Sequence, residues 1–592
     1  MASDKTNSGN SELIEALSSC RGAFVAVGVF SLLINLLMLL PAIYMLQVYD
    51  RVMASRSLET LAMITLIILA MFAVMGVLQV LRSRVLVRVS VRLDRELTDR
   101  IFAAMLRSSL SEPGGNSAQA MADATTLRQF ITGQGLLAFF DAPWIPLYLT
   151  VMFLFDFWLG VYGIGAVVVL AAIAVANEWA SGPPLAQANR TDAEARRFAT
   201  ENIRNAEVVQ AMGMEPGVRQ RLNARQAAVL RHQAHASDRA GTFSNLSRTF
   251  RMTAQALAYG LGAWLAIQGK ISAGAIVAGA ILLGQALRPV DQLIGSWRQI
   301  GGAKAAYRRL DELLGRHPVM PDAMSLPEPT GNWRFEQVAA APPGTTNPTI
   351  RGVNLQLSPG EIMAVIGPSA SGKSTLARAG LGVWPLLAGS VRIDEADINQ
   401  YNRDQLGPCI GYLPQDIELF EGTVAENIAR FGALDSEAIV AAAALAGTDE
   451  LIRHLPDGYE TRIGPGGHML SAGQRQRIAL ARAVYGRPRV VVLDEPNSNL
   501  DDAGEWALLQ CLQSLREQGA AVLVITHRYP ILTRVDKILV MQNGQVLAQG
   551  PRDELLPKLI NTRGTGGEES QSGPEVGETV AGNQQSAGGG RG

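Results

Sequence analysis

Cysteine is scarce in this chain. Only Cys20, Cys409 and Cys511 occur among 592 residues, far apart and without metal-ligand spacing. That argues against a disulfide framework and fits a reducing compartment for the second half of the chain. The six histidines form no HxxxH-type cluster. Net charge is −1, so no basic excess points to nucleic acid, and no nucleic-acid partner is expected. No cleavable signal peptide is expected either. Residues 1–20 are polar with short apolar stretches, and no small-residue cleavage site follows a short apolar core.

What the chain has in excess is apolar surface. It is 48% hydrophobic with a mean hydropathy of +0.14, and the excess lies in the first half. Its length exceeds one core and predicts several domains. A membrane helix needs roughly 20 mostly apolar residues. Six stretches qualify: 23–48, 58–81, 136–156, 158–178, 252–268 and 273–294. The last two are the weakest, because Ala and Gly dominate them and Gln255, Gln285 and Arg288 interrupt them. Small residues let helices approach closely in lipid, which suits a bundle interior.

Three connections between these stretches are short: 49–57, 156–157 and 269–272. Two are long, 82–135 and 179–251, and carry many arginines, among them Arg82, Arg88, Arg95, Arg107, Arg190, Arg204 and Arg231. Arginine-rich flanks mark the cytoplasmic side, so both termini and both long linkers are expected there. Helical periodicity in 85–110 and 193–233 continues across the membrane boundary and predicts long rods, with a break at Met214-Glu215-Pro216-Gly217. The alternative is two separate soluble hairpins. Asn35, Asp141, Glu178, Arg288 and Asp291 fall in or near the spans and are read as satisfying one another, not as substrate contacts.

Residues 1–21 form an expected cytoplasmic segment, 22–310 a six-helix membrane domain, and 311–331 a proline-containing connector. From 332 to 559 short β-rich runs alternate with helical stretches, the pattern of an α/β domain. From 560 to 592 large apolar residues almost vanish, which predicts a disordered tail.

The α/β part holds Gly367-Pro368-Ser369-Ala370-Ser371-Gly372-Lys373-Ser374-Thr375 between the apolar run 362–366 and a helical stretch. A glycine-rich strand-to-helix turn points backbone N–H groups at phosphate, and the helix dipole adds positive potential. Lys373 is expected on the β- and γ-phosphates of ATP and the Ser374 hydroxyl on Mg²⁺. Val490-Val491-Val492-Leu493 delivers Asp494 and Glu495 to the same sheet edge. Asp494 is the candidate Mg²⁺ ligand, and Glu495 the candidate base for the attacking water.

Leu470-Ser471-Ala472-Gly473-Gln474 closely resembles the signature of ATP-binding-cassette (ABC) proteins. The resemblance implies that Ser471, Gly473 and Gln474 of one nucleotide domain cap the ATP held by another copy. It further implies that Gln415 senses Mg²⁺ and water, that Asp501 in Ser498-Asn499-Leu500-Asp501 couples the two sites, and that His527 contacts the γ-phosphate. The catalytic set would be Glu495, His527 and Gln415, and the metal set Ser374, Gln415 and Asp494. Ala472 stands where the signature usually has Gly. Ala341-Pro342-Pro343 replaces the usual adenine-stacking aromatic, and Pro465 stands where exporters often have Glu.

The membrane half narrows the family. Leu46-Gln47-Val48-Tyr49-Asp50-Arg51-Val52, Phe140-Asp141-Ala142-Pro143-Trp144 and Ala206-Glu207-Val208-Val209-Gln210-Ala211-Met212-Gly213 resemble type I secretion transporters, in the branch exporting metalloproteases, lipases and haem-binding proteins. The implied fold is a six-helix ABC-exporter bundle followed by an α/β phosphate-loop nucleotide domain. The implied partners are a second copy, a periplasmic adaptor protein, an outer-membrane channel, the lipid bilayer and a secreted protein that passes unfolded with an uncleaved C-terminal signal. The implied location is the bacterial inner membrane. With about 20 residues before the first span, an N-terminal peptidase-like domain is not expected. An exporter of lipid or hydrophobic small molecules shares the ATPase motifs and remains the alternative; intact Lys373, Asp494, Glu495 and His527 argue against a non-transporting scaffold.

Overall fold

The computed structural model describes residues 12–111, 119–318, 326–467 and 469–565. They divide into two compact units, one of residues up to 109 and from 114 to 318, the other of the chain beyond Pro318 together with the short stretch from Leu110.

The first unit is helical. Its principal elements are α1 (Arg21–Leu37), α2 (Leu40–Gln47), α3 (Leu58–Ser111), α4 (Gln119–Ile131), α5 (Gln134–Asp141), α6 (Ile145–Phe155), α7 (Phe157–Arg204), α8 (Glu215–Ile267), α9 (Ala273–Gly295) and α10 (Trp297–Arg316). The rods expected from the sequence are present: α3, α7 and α8 run 54, 48 and 53 residues without a break. α8 begins at Glu215 with proline in its first turn, where the break was expected. The first expected span is interrupted before Pro41, and the third at Ala142–Trp144 around Pro143, because proline cannot donate to the helix ladder.

Each of the three short turns ends in a side-chain cap. Ser57 Oγ accepts from the Thr60 N–H, Asp156 Oδ1 from the Trp158 N–H, and Ser272 Oγ from the Ala275 N–H. Asp50, in the π-helical turn Val48–Val52, accepts from the Gly274 N–H at 2.8 Å and from the Ser272 hydroxyl. This carboxylate ties the first turn to the start of α9.

α7 and α8 lie antiparallel along much of their length, and three contacts fix their register. Tyr162 OH donates to the Ala254 carbonyl and Arg239 to the Ala180 carbonyl, while the Arg225 guanidinium sits 3.9 Å over the Phe198 ring. Small residues set the approach to α9, where a Cβ on Gly279 would lie 2.7 Å from Leu159 and one on Gly262 3.0 Å from Ile276. α9 is the most enclosed of the apolar helices.

Among the described residues, five helical segments are long and apolar enough to cross a membrane: Arg21–Ser55, Leu58–Ser111, Gln134–Phe155, Phe157–Arg204 and Ala273–Gly295. The expected span 252–268 is helical, as the end of α8, but does not reach that apolarity. Its buried face is Ala254, Ala258, Gly262 and Leu265, mostly small residues, and Met252, Leu257, Trp264 and Ile267 are exposed on the rest of its surface. The connector also begins later than expected. α10 continues to Arg316 with Leu310 and Leu314 buried, and Arg100 and Arg107 of α3 donate to the carbonyls of His317 and Pro318 at its C-terminus.

The polar residues near the spans pair only in part. Arg82 donates to Asp141 at 2.8 Å and to Ser31 Oγ at 2.9 Å. Asn35 Nδ2 also donates to Asp141, and Tyr148 OH donates to Asn35 Oδ1 at 2.7 Å. α1, α3, α5 and α6 thus share one buried network. Removing one member of a buried ion pair strands the other charge and costs about 3 kcal/mol or more. Arg82→Met is therefore expected to lower the thermal midpoint of the detergent-solubilised protein, with most of the loss recovered in Arg82→Met/Asp141→Leu. A single variant melting with wild type would remove the network from this role.

The second unit has a four-stranded antiparallel sheet and a six-stranded sheet. The strands of these two sheets are β1 (Trp333–Ala340), β2 (Ile350–Leu357), β3 (Ile362–Ile366), β4 (Leu386–Ile393), β5 (Ala396–Asp397), β6 (Ile410–Leu413), β7 (Val490–Asp494), β8 (Ala521–Ile525), β9 (Lys537–Gln542) and β10 (Gln545–Pro551). The smaller sheet runs β2-β1-β4-β5 and the larger β10-β9-β3-β8-β7-β6. In the larger sheet β9, β3, β8, β7 and β6 are mutually parallel. Its central strands are apolar up to Asp494 at the end of β7, because both faces are covered. Val491, Leu493, Val522 and Val524 enter one core, while Val490, Val492, Leu523 and Ile525 enter the other. The helix Arg552–Thr565 continues into the expected tail; residues 566–592 lie outside the described residues.

Candidate functional site

Parallel pairing brings four strand ends to one edge of the larger sheet. Ile525 pairs with Val365 on one side and Asp494 on the other, and Leu413 pairs with Leu493. The residues following these strands emerge together: the 367–372 loop after β3, Gln415 after β6, Glu495 after β7 and His527 after β8. The strand runs therefore bring the 367–372 loop, Gln415, Asp494, Glu495 and His527 to one edge of the sheet.

The loop leads into α11 (Lys373–Gly380). Gly367 and Gly372 have φ of +156° and +95°. A Cβ on Gly367 would lie 2.2 Å from the Met541 carbonyl oxygen and one on Gly372 2.6 Å from Ile350, so only glycine fits either position. Lys373 is buried, and its Nζ donates to the carbonyls of Gly367 and Pro368, both at 2.9 Å. Ser371 is buried with its hydroxyl unpartnered. Pro368, Ser369 and Ala370 complete the turn; Ser374 and Thr375 fall in the first helical turn.

Asp494 is 2% exposed, and its Oδ2 has no hydrogen-bond partner. Burial pushes its carboxyl up from the ordinary aspartate value; the Ser374 hydroxyl pulls it back, and the neighbouring Glu495 charge pushes it up again. A buried carboxylate oxygen left unsatisfied beside a hydroxyl is a fit for a hard divalent cation, which takes oxygen ligands and keeps waters. Glu495 adopts φ 51°, an unfavourable backbone conformation for a side-chain-bearing residue, held by its N–H donating to the Ile525 carbonyl. Gln415 Nε2 donates to Glu495 Oε2 at 3.2 Å, so these two candidates are in direct contact. His527 is exposed at the end of β8.

The signature residues open a different helix, α12 (Ala472–Val484). Ser471 and Gln474 form a capping box: Ser471 Oγ accepts from the Gln474 N–H and Gln474 Oε1 from the Ser471 N–H. Ala472 is accommodated as the first helical residue. Asp501 caps α13 (Asp502–Glu517), accepting from the Gly504 N–H and from Arg477. Those two donors, the backbone one first, hold its carboxyl below the usual range. The loop 341–344 after β1 presents Ala and Pro with no aromatic, as the sequence implies.

Sequence reasoning missed Gln476. It is buried, donates to the Pro496 carbonyl, and accepts from the Asn499 N–H at 3.0 Å. One amide thus joins α12 to the segment following Glu495. The signal available was an amide between Arg475 and Arg477 on a helix whose following residues are apolar.

The family model for the ABC transporter matches residues 350–498, and that for the ABC transporter transmembrane region matches 24–290. The type I secretion system ATP-binding protein PrsD of Rhizobium meliloti is 42% identical over 93% of this chain and 95% of its own length. The cyclolysin secretion/processing ATP-binding protein CyaB of Bordetella pertussis is 30% identical over 92% of this chain and 77% of its own. A solved bacterial Atm1-family ABC exporter shares the fold, with a TM-score of 0.81, 24% identity, and coverage of 94% of this chain and 100% of that one.

Proposed function

Because the chain belongs to the ABC transporter family, within the type I secretion group of ATP-driven membrane protein exporters, we propose that it works as a homodimer in the bacterial inner membrane. It passes unfolded proteins with an uncleaved C-terminal signal, of the metalloprotease and lipase kind, to a periplasmic adaptor and an outer-membrane channel. The contact between Gln415 and Glu495, beside an unsatisfied Asp494, is the observation that carries the hydrolytic part of this reading.

In this reading the 367–372 backbone and Lys373 hold the β- and γ-phosphates of ATP, and His527 touches the γ-phosphate. Mg²⁺ would be held by Ser374, Asp494 and Gln415, and it supplies charge neutralisation on the phosphate oxygens. Glu495 takes the proton of the water that attacks the γ-phosphorus, while the bond to the ADP oxygen breaks. Gln415 orients Glu495 and that water. Ser471, Gly473 and Gln474 reach the nucleotide of the second copy, and Asp501 with the Gln476-tied loop links the two sites. Adenine rests against Pro342 and Pro343. In this reading α8 supplies the sixth membrane helix, and the arginine-rich ends of the rods favour a cytoplasmic side for both termini.

A Cβ on Gly473 would lie 2.8 Å from the Asn499 carbonyl oxygen. Gly473→Ala is expected to displace the 498–501 loop and cut ATP turnover by about 10²-fold, since a misplacement of about 1 Å suffices for that. Steady-state hydrolysis by the purified protein checks it; a rate within threefold of wild type would count against close apposition of α12 and this loop.

Export is tested by mass spectrometry of culture medium from cells carrying wild type or Glu495→Gln. Loss of a few specific proteins identifies the cargo. An unchanged medium with altered membrane lipids would put lipid export in place of this proposal.

A further inference from the structure

Between α8 and α9 lies a cavity of about 440 Å³ that is polar although both helices belong to the membrane unit. Arg251 and Gln255 of α8 face it, with Gly284, Gln285, Arg288 and Asp291 of α9. The spacings are i, i+4 on one helix and i, i+4, i+7 from Gly284 on the other, so each helix presents one stripe. An ionisable stripe in a membrane helix is costly and persists where it lines a pathway or a ligand.

The charges in the cavity do not cancel. Asp291 is engaged by Arg251 at 3.3 Å and by the Ser247 hydroxyl. Arg288 has no carboxylate; among the described residues its guanidinium finds only Met38 Sδ, at 3.6 Å. Gln285 Oε1 is buried without a donor. The cavity therefore offers one unpaired guanidinium and one unpaired amide oxygen, about 4.5 Å apart along the helix axis by rise alone. A carboxylate with a backbone N–H nearby would satisfy both groups.

We infer that the Arg288–Gln285 cavity binds a carboxylate of an extended polypeptide, Arg288 holding the carboxylate and Gln285 accepting from a peptide N–H. The inference rests on the polypeptide-export reading and deepens it by naming a contact in the membrane domain. Guanidinium suits this task because its planar fork matches a carboxylate with two parallel hydrogen bonds. Phosphate could use the same fork, but the unpaired acceptor beside it favours a ligand that also carries an N–H.

The probe is a short fluorescein-labelled peptide rich in Gly, Ser and Asp, with two counterparts. One has asparagine for every aspartate, and the other has an amidated C-terminus. Binding to the full chain in nanodiscs is read by fluorescence anisotropy. Arg288→Gln is expected to weaken binding of the acidic peptide by about tenfold or more, with Arg288→Lys intermediate. Gln285→Leu serves as the independent variant if Arg288→Gln misfolds, and should weaken the same peptide. The asparagine peptide should bind poorly to wild type. Weakening by amidation alone would assign the site to a chain terminus, and weakening by asparagine alone to side chains; both support the inference. Equal binding of the acidic peptide and both of its counterparts, or of wild type and both variants, would overturn it, as would binding that follows anionic lipid content instead of peptide charge. The export reading is separable: if Glu495→Gln stops secretion while both cavity variants secrete and bind normally, only this inference falls.

Discussion

Glu495→Gln is expected to abolish ATP turnover, by about 10²- to 10⁴-fold, while ATP still binds at close to wild-type affinity. The carboxylate sits at the end of a fully buried strand, in a backbone conformation fixed by the Ile525 carbonyl, and in contact with Gln415. Glutamine matches its shape and can hydrogen bond to Gln415, so the geometry should persist and only the proton acceptor is lost. Phosphate release and nucleotide binding measured on one preparation decide the matter. Hydrolysis within tenfold of wild type would move the base elsewhere, and loss of ATP binding would mean that the substitution disturbed the loop.

Asp494→Asn should separate activity from stability in opposite directions. Activity is expected to fall by about 10²-fold or more, because the group proposed to hold the metal is neutralised. Without nucleotide and with chelator present, however, the variant should melt higher than wild type, by on the order of 2 °C. Burial raises the carboxyl above its unfolded value of 3.8. The charged form is thus disfavoured by folding, and the stability present at acid pH is lost as pH rises through the raised value. Asparagine carries no such penalty. The gain should shrink as the pH is lowered toward 4 and below, where both states bind the proton. A variant less stable than wild type at neutral pH would show that the buried charge is already compensated.

The geometry of the candidate site was legible because its pattern is local. Gly367, Gly372 and Lys373 lie within one turn, and Asp494 and Glu495 close one apolar run. Parallel pairing then follows from strands that are apolar on both faces. Gln476 was not legible, since its role depends on a loop more than 20 residues later folding back onto the helix. In the membrane half, periodicity revealed the three rods, including their continuity past the apolar limits. Apolarity was a poorer guide to the span 252–268, whose buried side is mostly alanine and glycine with Leu265. The pairing of Arg82 with Asp141 and the isolation of Arg288 could not be read either, because partners across a bundle leave no trace in spacing.

The continuity of the rods has a mechanical consequence. A helix of 48 residues, such as α7, is about 72 Å long. Swung as a stiff lever by about five degrees about one end, it carries the other roughly 6 Å, more than one helical turn of travel. α8 runs antiparallel beside it and is clamped at Tyr162–Ala254, Ala180–Arg239 and Phe198–Arg225, so the two move as one beam with greater bending stiffness than either alone. Pro183 and Pro184 remove two donors from α7 near the second clamp and give that beam a soft point. A small angular input at one end is thereby matched by a displacement of several ångströms at the other, without unfolding any turn of helix.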